Sequence, residues 1–428
     1  MRVRASSGGP LILGVSQAEI SPMSPGPPKP FILDTSIATE IFHRAGSSAL
    51  FDPCRQILVP DTPEEVVRQQ LVAYMKGELG IPDHLIRTEV HLSNLLPGVE
   101  ARGRVDVVVS GPDSRPLVLV ECKAQHVALT DDALDQVLRY HKATEAVASV
   151  IATTNGVETR WYRVTKEGAP QQLVHAPLLR DLLGETLPSD LLPEELPPRP
   201  RCVRLPPKTR EWMLANGVLG EGSPPEHHGY IANIAGLLLL ERTTPALRSC
   251  ESRFTIRGTG LRSTSFGNAA GGRWEGTYRY FLIEGANGDS QIVSLAVLGQ
   301  MLVRNDPVFG NTNGRTMLVV AVDDFDTRHN SLQLDLDRFV EVEDGVVTVW
   351  HNGTLTCGNR GAARRSEVLE FVRRKAPHLM DDDRVQLGSI PADRPARWED
   401  ADRLIVNTVE YALVRDAFRA FVAGRTRQ

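Results

Sequence analysis

Two short stretches, Arg104-Val105-Asp106-Val107-Val108 and Leu119-Val120-Glu121-Cys122-Lys123, decide how the first half of this 428-residue chain is read. Both are rich in β-branched and aliphatic residues and read as strands, the second starting at Leu117. The seven residues between them, Ser110-Gly111-Pro112-Asp113-Ser114-Arg115-Pro116, carry the glycine, prolines and aspartate of a turn, so the pair is a hairpin. A turn centred near Asp113 sets Asp106 opposite Glu121, and the strand period of two sends Glu121 and Lys123 to one face. Two carboxylates and an ammonium therefore converge.

Two buried carboxylates repel by several kcal/mol at low effective dielectric unless a positive charge lies between them. A divalent cation and a lysine supply that charge. Carboxylate oxygens, a backbone carbonyl and waters suit Mg²⁺ or Mn²⁺ rather than zinc. The chemistry expected of such a site is metal-assisted phosphodiester hydrolysis, with Lys123 placing the attacking water or neutralising the developing charge. The same three residues on a solvated strand edge would make no more than a surface ion pair. The next segment favours the site: Leu129 to Val147 opens with Thr130-Asp131-Asp132, a cap and an acidic first turn, and carries Leu134, Val137, Leu138 and His141 at helical spacing. Gln136 and Tyr140 lie one turn apart, off that stripe, able to reach a phosphate or a metal-bound water together, or else to form an ordinary polar flank.

On these residues the span from Pro63 to Val164 resembles the N-terminal nuclease domain of type I restriction enzyme R subunits, a branch of the PD-(D/E)XK superfamily. The matching elements are the opening helix Pro63-Glu64-Glu65-Val66-Val67-Arg68-Gln69, Asp106, Glu121-Cys122-Lys123, Gln136-x-x-x-Tyr140, and Asn155-Gly156 after a third strand. The resemblance implies a restriction-endonuclease-like α/β fold with a mixed central sheet flanked by helices. It makes Asp106 and Glu121 metal ligands, Lys123 the catalytic lysine, and Gln136 and Tyr140 the phosphate-side pair of the Q-x-x-x-Y branch. Glu65 on the first helix would complete the metal shell, with Glu64 one position away as the alternative. Val105 stands where the superfamily's name has a proline.

The chain is not a whole restriction motor subunit, for it carries no G-x-x-x-x-G-K-[ST]; the nearest glycine-rich stretch, Gly310 to Thr316, lacks the lysine. A formal net charge of −5 excludes a wholly basic surface, so contact with DNA is expected to be local. Five scattered cysteines, with no C-x-x-C spacing, fit reduced thiols, and Cys122 reads as a small core residue. Apolar runs such as Ile234 to Leu240 are too short to span a membrane, and no unbroken signal-peptide core stands at the N-terminus, so the expected location is cytoplasmic.

The domain expectation is a disordered segment over 1–30, rich in Ser, Gly and Pro, then a nuclease domain over 31–180. A linker over 181–210 follows, with seven prolines between Leu187 and Pro207, then a β-rich α+β domain over 211–428. In that last domain Arg253–Ile256, Tyr278–Glu284, Gln291–Leu298, Thr316–Val322, Leu332–Leu336 and Val346–Trp350 read as strands. Ser366–Lys375 reads as a helix and Trp398–Ala423 as one or two. Arg360, Arg364, Arg365, Arg373, Arg374 and Lys375 form a basic cluster that suits either a phosphate backbone or a solvated helix end. Asp323 to Asn330 reads as a turn, and Ser265 to Trp274 as an exposed glycine-rich loop.

The expected function is an Mg²⁺-dependent endodeoxyribonuclease in restriction or antiphage defence, with DNA as substrate and the C-terminal domain choosing substrates or controlling activation. The alternatives are a nuclease-fold binding or assembly module that does not cut, and a gated effector waiting for a nucleotide signal or a protein partner at the C-terminal domain. Cutting both strands would take a homodimer or two successive events.

Overall fold

The computed structural model describes residues 27–34, 40–95, 102–145, 147–183, 205–240, 254–267, 272–305, 311–325, 327–357 and 361–425. They fall into two compact units, one within Ser16–Glu195 and one within Leu196–Gln428.

The first unit opens on an antiparallel meander, β1 (Phe42–Arg44), β2 (Ser47–Asp52) and β3 (Ile57–Pro60), which sequence patterning did not announce. Its apolar side, Leu50, Ile57 and Val59, packs against Val66 of α1 (Pro63–Gly77). That helix starts where Thr62 accepts the N–H of Glu65 at 3.2 Å and Pro63 fills a first-turn position that needs no N–H.

The main sheet has six strands in sequence order: β4 (Ile86–His91), β5 (Arg104–Ser110), β6 (Pro116–Cys122), β7 (Val150–Thr154), β8 (Thr159–Val164) and β9 (Pro170–Gln172). Only β6 and β7 run parallel, and α2 (Asp131–Ala143) supplies the crossover such a pair requires. A short α3 (Leu179–Leu183) closes the unit. In the β5–β6 hairpin Val107 pairs with Val120, Val108 with Leu119 and Val109 with Val118, the expected register; the ladder ends there, and beyond it Asp106 Oδ2 accepts the N–H of Cys122.

Apolar layers cover both faces of this sheet. Val67, Leu71 and Met75 of α1 lie over Val107, Val109, Val118, Val120 and Cys122, and Val137 of α2 lies with Val105, Val108, Leu119 and Ile151. Each buried aliphatic side chain contributes about 1.5–3 kcal/mol, which holds the strand ends rigidly where the polar residues sit. The mixed α/β character expected of this half is borne out, as is the core placement of Cys122.

The second unit is β-rich, with antiparallel sheets and few helices, also as expected. After α4 (Pro207–Ala215) and α5 (His228–Leu240) comes a five-stranded antiparallel meander: β10 (Phe254–Gly267), β11 (Arg273–Gly285), β12 (Ser290–Gly299), β13 (Thr316–Asp324) and β14 (Thr327–Asp335). A smaller sheet holds β15 (Val340–Glu343), β16 (Val346–His351), β17 (Met380–Asp381) and β18 (Arg384–Pro391), ordered β15-β16-β18-β17. Helix α6 (Arg365–Lys375) precedes β17, and a single helix, α7 (Trp398–Arg425), ends the unit. Leu237 and Leu238 of α5 and Leu404, Val409 and Tyr411 of α7 belong to one core with the inner faces of both sheets.

Several expectations are corrected or completed here. The glycine-rich stretch is not all loop: Ser265–Gly267 continue β10, Arg273 and Trp274 begin β11, and Phe266 is buried, while 268–271 lie outside the described residues. The segment Asp323 to Asn330 is mostly strand rather than turn: Asp323 and Asp324 end β13, Thr327 to Asn330 begin β14, and the chain reverses between them at 325–326, of which 326 lies outside the described residues. Pro207, assigned to the linker, starts α4, where a proline's missing N–H is harmless. Most of the linker and of the 1–30 segment lies outside the described residues; within the latter, the Lys29 carbonyl accepts a hydrogen bond from Tyr74 at 2.6 Å. In the basic cluster Arg360 lies outside the described residues. Arg365 donates to the carbonyls of Asn352 and Asp383, Arg373 to that of Asp382, and Arg374 lies over Phe371 and Phe421. Those contacts clasp α6 to its surroundings.

Candidate active site

Asp106 lies near the start of β5, Glu121 near the end of β6, and Lys123 just past it, where its N–H bonds the Thr154 carbonyl of β7 at 2.8 Å. Antiparallel strands bring these positions to one end of the sheet. The Oδ2 of Asp106 accepts the N–H of Cys122 at 2.7 Å. Lys123 Nζ lies 2.6 Å from Glu121 Oε1 and 3.4 Å from Gln136 Oε1, and Gln136 Nε2 donates to the Tyr140 hydroxyl at 3.0 Å. The chain Glu121–Lys123–Gln136–Tyr140 is thus continuous, and the one-turn spacing on α2 places its last two members side by side.

Tyr140 reaches that position because of Gly103. At φ +137° a Cβ on Gly103 would stand 2.9 Å from Tyr140 Cε1 and 3.1 Å from Leu92 Cδ1, so only a residue without a side chain fits beneath the ring.

Burial and the neighbouring Glu121 charge push the Asp106 pKa up to about 7, against the pull of Arg68 and the Cys122 N–H. Burial also raises the Glu121 pKa, opposed by Lys123. For Lys123 burial favours the neutral amine, but the hydrogen bond it donates to Glu121 and the charges of Glu121 and Asp106 together outweigh it and hold the ammonium.

Two further residues complete the cluster. Arg68 of α1 is buried and its guanidinium meets Glu65, Glu64 at 3.1 Å, Glu89 at 2.8 Å and Asp106 Oδ1 at 3.3 Å. Glu89 of β4 also bonds Arg104 and takes a left-handed φ of +55°, which turns its carboxylate inward beside Asp106. The i+3 and i+4 offsets from Glu65 and Glu64 marked Arg68 as their partner in the sequence. Glu89 carried no such signal, because strand alternation groups it with Arg87 and His91.

The two first-helix glutamates have different surroundings. Glu65 is buried, bonded to Arg68 and, at 2.5 Å, to Gln69 Nε2, with Arg55 at 3.9 Å. Glu64 is half exposed, and its charge is the one felt at Asp106, Glu121 and Lys123. Asn155 shapes the loop after β7, accepting the N–H groups of Val157 and Glu158 and donating to the Val127 carbonyl.

Five carboxylates (Glu64, Glu65, Glu89, Asp106, Glu121) meet four cations (Arg55, Arg68, Arg104, Lys123), and Glu121 Oε2 is buried without a hydrogen-bond partner among the described residues. An excess of oxygen donors with one orphaned lone-pair atom fits a hard divalent cation held by Asp106 and Glu121. Among the described residues no three acidic, histidine or cysteine side chains are already grouped as a ready-made metal cage.

Fold and site together define an α/β domain with an acidic, lysine-bearing strand end. Residues 63–177 match the family described as type I restriction enzyme R protein N terminus, which places the resemblance where the motifs put it and extends it through β9. No curated protein and no solved structure matches the chain. Among the described residues no helix is long and apolar enough to cross a membrane.

Proposed function

We propose that the protein is a metal-dependent endonuclease of restriction-endonuclease-like fold that hydrolyses DNA phosphodiester bonds, in restriction or antiphage defence. The observation that carries this reading is the buried, mutually repelling Asp106–Glu121 pair with Lys123 bonded to Glu121 and Gln136. Asp106 and Glu121 would hold Mg²⁺ or Mn²⁺, which when bound supplies Lewis acidity at the scissile phosphate. Glu64, sharing its field with both, is the better candidate than Glu65 to complete the shell. Lys123 orients a water or meets the charge that develops on the phosphate, and Gln136 with Tyr140 steadies the lysine and faces the phosphate oxygens. The domain scheme follows: a nuclease domain from 31 through α3, a proline-rich linker over 184–206, and a domain from Pro207 onward that selects or activates, with homodimerisation serving double-strand cleavage.

One observation favours a gated form of this enzyme. Arg68 already stands on Asp106 Oδ1, so a metal ion has to displace a built-in cation, and a signal or partner that moves α1 would open the site. The deciding experiment is cleavage of supercoiled plasmid with Mg²⁺, Mn²⁺ or EDTA by wild type, Asp106→Ala and Lys123→Ala. Metal-dependent nicking lost in both variants supports the nuclease. Absence of both cleavage and calorimetric metal binding in wild type removes it.

A further inference from the structure

At the turn end of the β5–β6 hairpin, away from Asp106 and Glu121, lies a cavity of about 190 Å³ lined by His84, Leu85, Arg87, Ser110, Gly111 and Ser114, and by no carboxylate. Arg87 is its unusual member. Its Nη2 donates to Ser110 Oγ at 2.9 Å, its Nε is buried with no hydrogen-bond partner, and no ion pair to it occurs among the described residues. The acids closest to Arg87 in the chain and at the hairpin turn are engaged elsewhere: Glu89 with Arg68 and Arg104, Asp83 with Lys76 at 2.9 Å, and Asp113 with the Arg115 N–H at 3.1 Å. Burial pulls the Arg87 pKa down with no opposite charge to offset it.

A half-buried guanidinium without a counter-charge costs free energy unless an anion completes it. The polar groups around it, two hydroxyls and an imidazole, can all donate. We propose that this cavity binds a phosphate-type oxyanion, with Arg87 as the charged donor and Ser110 and Ser114 as hydroxyl donors. The anion is either a nucleic-acid backbone phosphate or the phosphate of a small molecule, and the chemistry recognised is the same. The inference stands apart from the nuclease reading, since no proposed catalytic residue lines the cavity.

The test uses the full chain in EDTA, so that cleavage does not enter. Inorganic phosphate binding is followed by calorimetry, and binding of a short DNA duplex by fluorescence anisotropy across a salt series. Wild type, Arg87→Gln and Ser110→Ala are compared, with thermal melts as the folding control. A phosphate affinity lowered at least about tenfold in Arg87→Gln, and less in Ser110→Ala, supports a small-molecule phosphate. Duplex affinity lowered, with the salt slope reduced by about one and no binding of inorganic phosphate, supports a backbone phosphate. If neither probe responds in a folded Arg87→Gln, or in Ser110→Ala should the first fail to fold, the proposal is overturned. Lower melting temperatures with unchanged anion binding also overturn it, because Arg87–Ser110 would then be a strut.

Discussion

The Asp106 carboxylate is fastened to the N–H of Cys122 at 2.7 Å, which ties β5 to the strand that carries both Glu121 and Lys123. One oxygen is thereby fixed and the other faces a cation, at present Arg68 at 3.3 Å. Asp106→Asn keeps the size and removes the charge, so Mn²⁺ affinity measured by calorimetry is expected to fall at least about tenfold. The pKa of Asp106 is raised by burial and by Glu121, so stability from its protonated form is present below the ordinary value of 3.8 and lost as pH rises through about 7. The metal-free wild type should melt lower across that window, and Asp106→Asn should flatten the decline. An unchanged metal affinity would remove Asp106 from the site.

Lys123 stands on Glu121 Oε1 at 2.6 Å, so on the proposed reading truncating it frees a candidate ligand oxygen while removing the positive charge beside the proposed metal. Lys123→Met is expected to retain or gain metal affinity and to lose about 10²–10³-fold in cleavage rate. Equal losses in both would make the lysine a structural counter-ion only.

Glu64 and Glu65 are separated by surroundings rather than by sequence. Glu64→Gln should weaken Mn²⁺ binding and leave the melting temperature nearly unchanged, since its side chain is half exposed. Glu65→Gln should do the reverse, because it breaks a buried pair with Arg68, an interaction whose one-sided loss costs about 3–5 kcal/mol. Metal affinity that falls in Glu65→Gln alone would restore the buried glutamate as the ligand.

The hairpin was legible because strand period and turn length together fix register: nothing beyond the positions of Asp106, Asp113 and Glu121 was needed to set the two strands in register. The α2 stripe was legible for the same reason of period, with Val137 and His141 buried as spaced. Glu89 was not, since its inward turn depends on a left-handed φ in mid-strand that no local residue type announces. The short strands β1, β15 and β17 and the helix α5 escaped for a different reason. The strands offer too few alternations to stand out, and α5 is apolar nearly all round, leaving no periodic face to detect.

Gly103 offers a test of the Gln136–Tyr140 pair without touching either residue. Gly103→Ala places a methyl within 2.9 Å of the Tyr140 ring at a backbone angle that side chains rarely adopt, so the ring must shift and its bond to Gln136 lengthen. Cleavage should fall about tenfold or more with metal affinity preserved, as misplacement by about 1 Å can cost a hundredfold. A variant with wild-type cleavage would show that the tyrosine's position is not used.

In the second unit His351 is buried, and its Nδ1 accepts from the Gly353 N–H at 3.1 Å while facing the Tyr411 hydroxyl at 2.8 Å. An accepting Nδ1 has no room for a proton, and burial together with the nearby Arg415 charge holds the imidazole pKa well below 6.5. The groups packed around it, Tyr411, Arg415 and the Phe339 ring, include no carboxylate that would favour the imidazolium. A depressed folded-state pKa contributes stability that is present above the unfolded value near 6.5 and lost as pH falls below it. Urea unfolding of this unit, followed by Trp398 and Trp350 fluorescence, should therefore lose up to about 1.4 kcal/mol per pH unit below that point. His351→Gln, which keeps an acceptor but cannot titrate, should remove that slope whatever it does to the stability at neutral pH. A slope that survives the substitution would assign the acid sensitivity to another group.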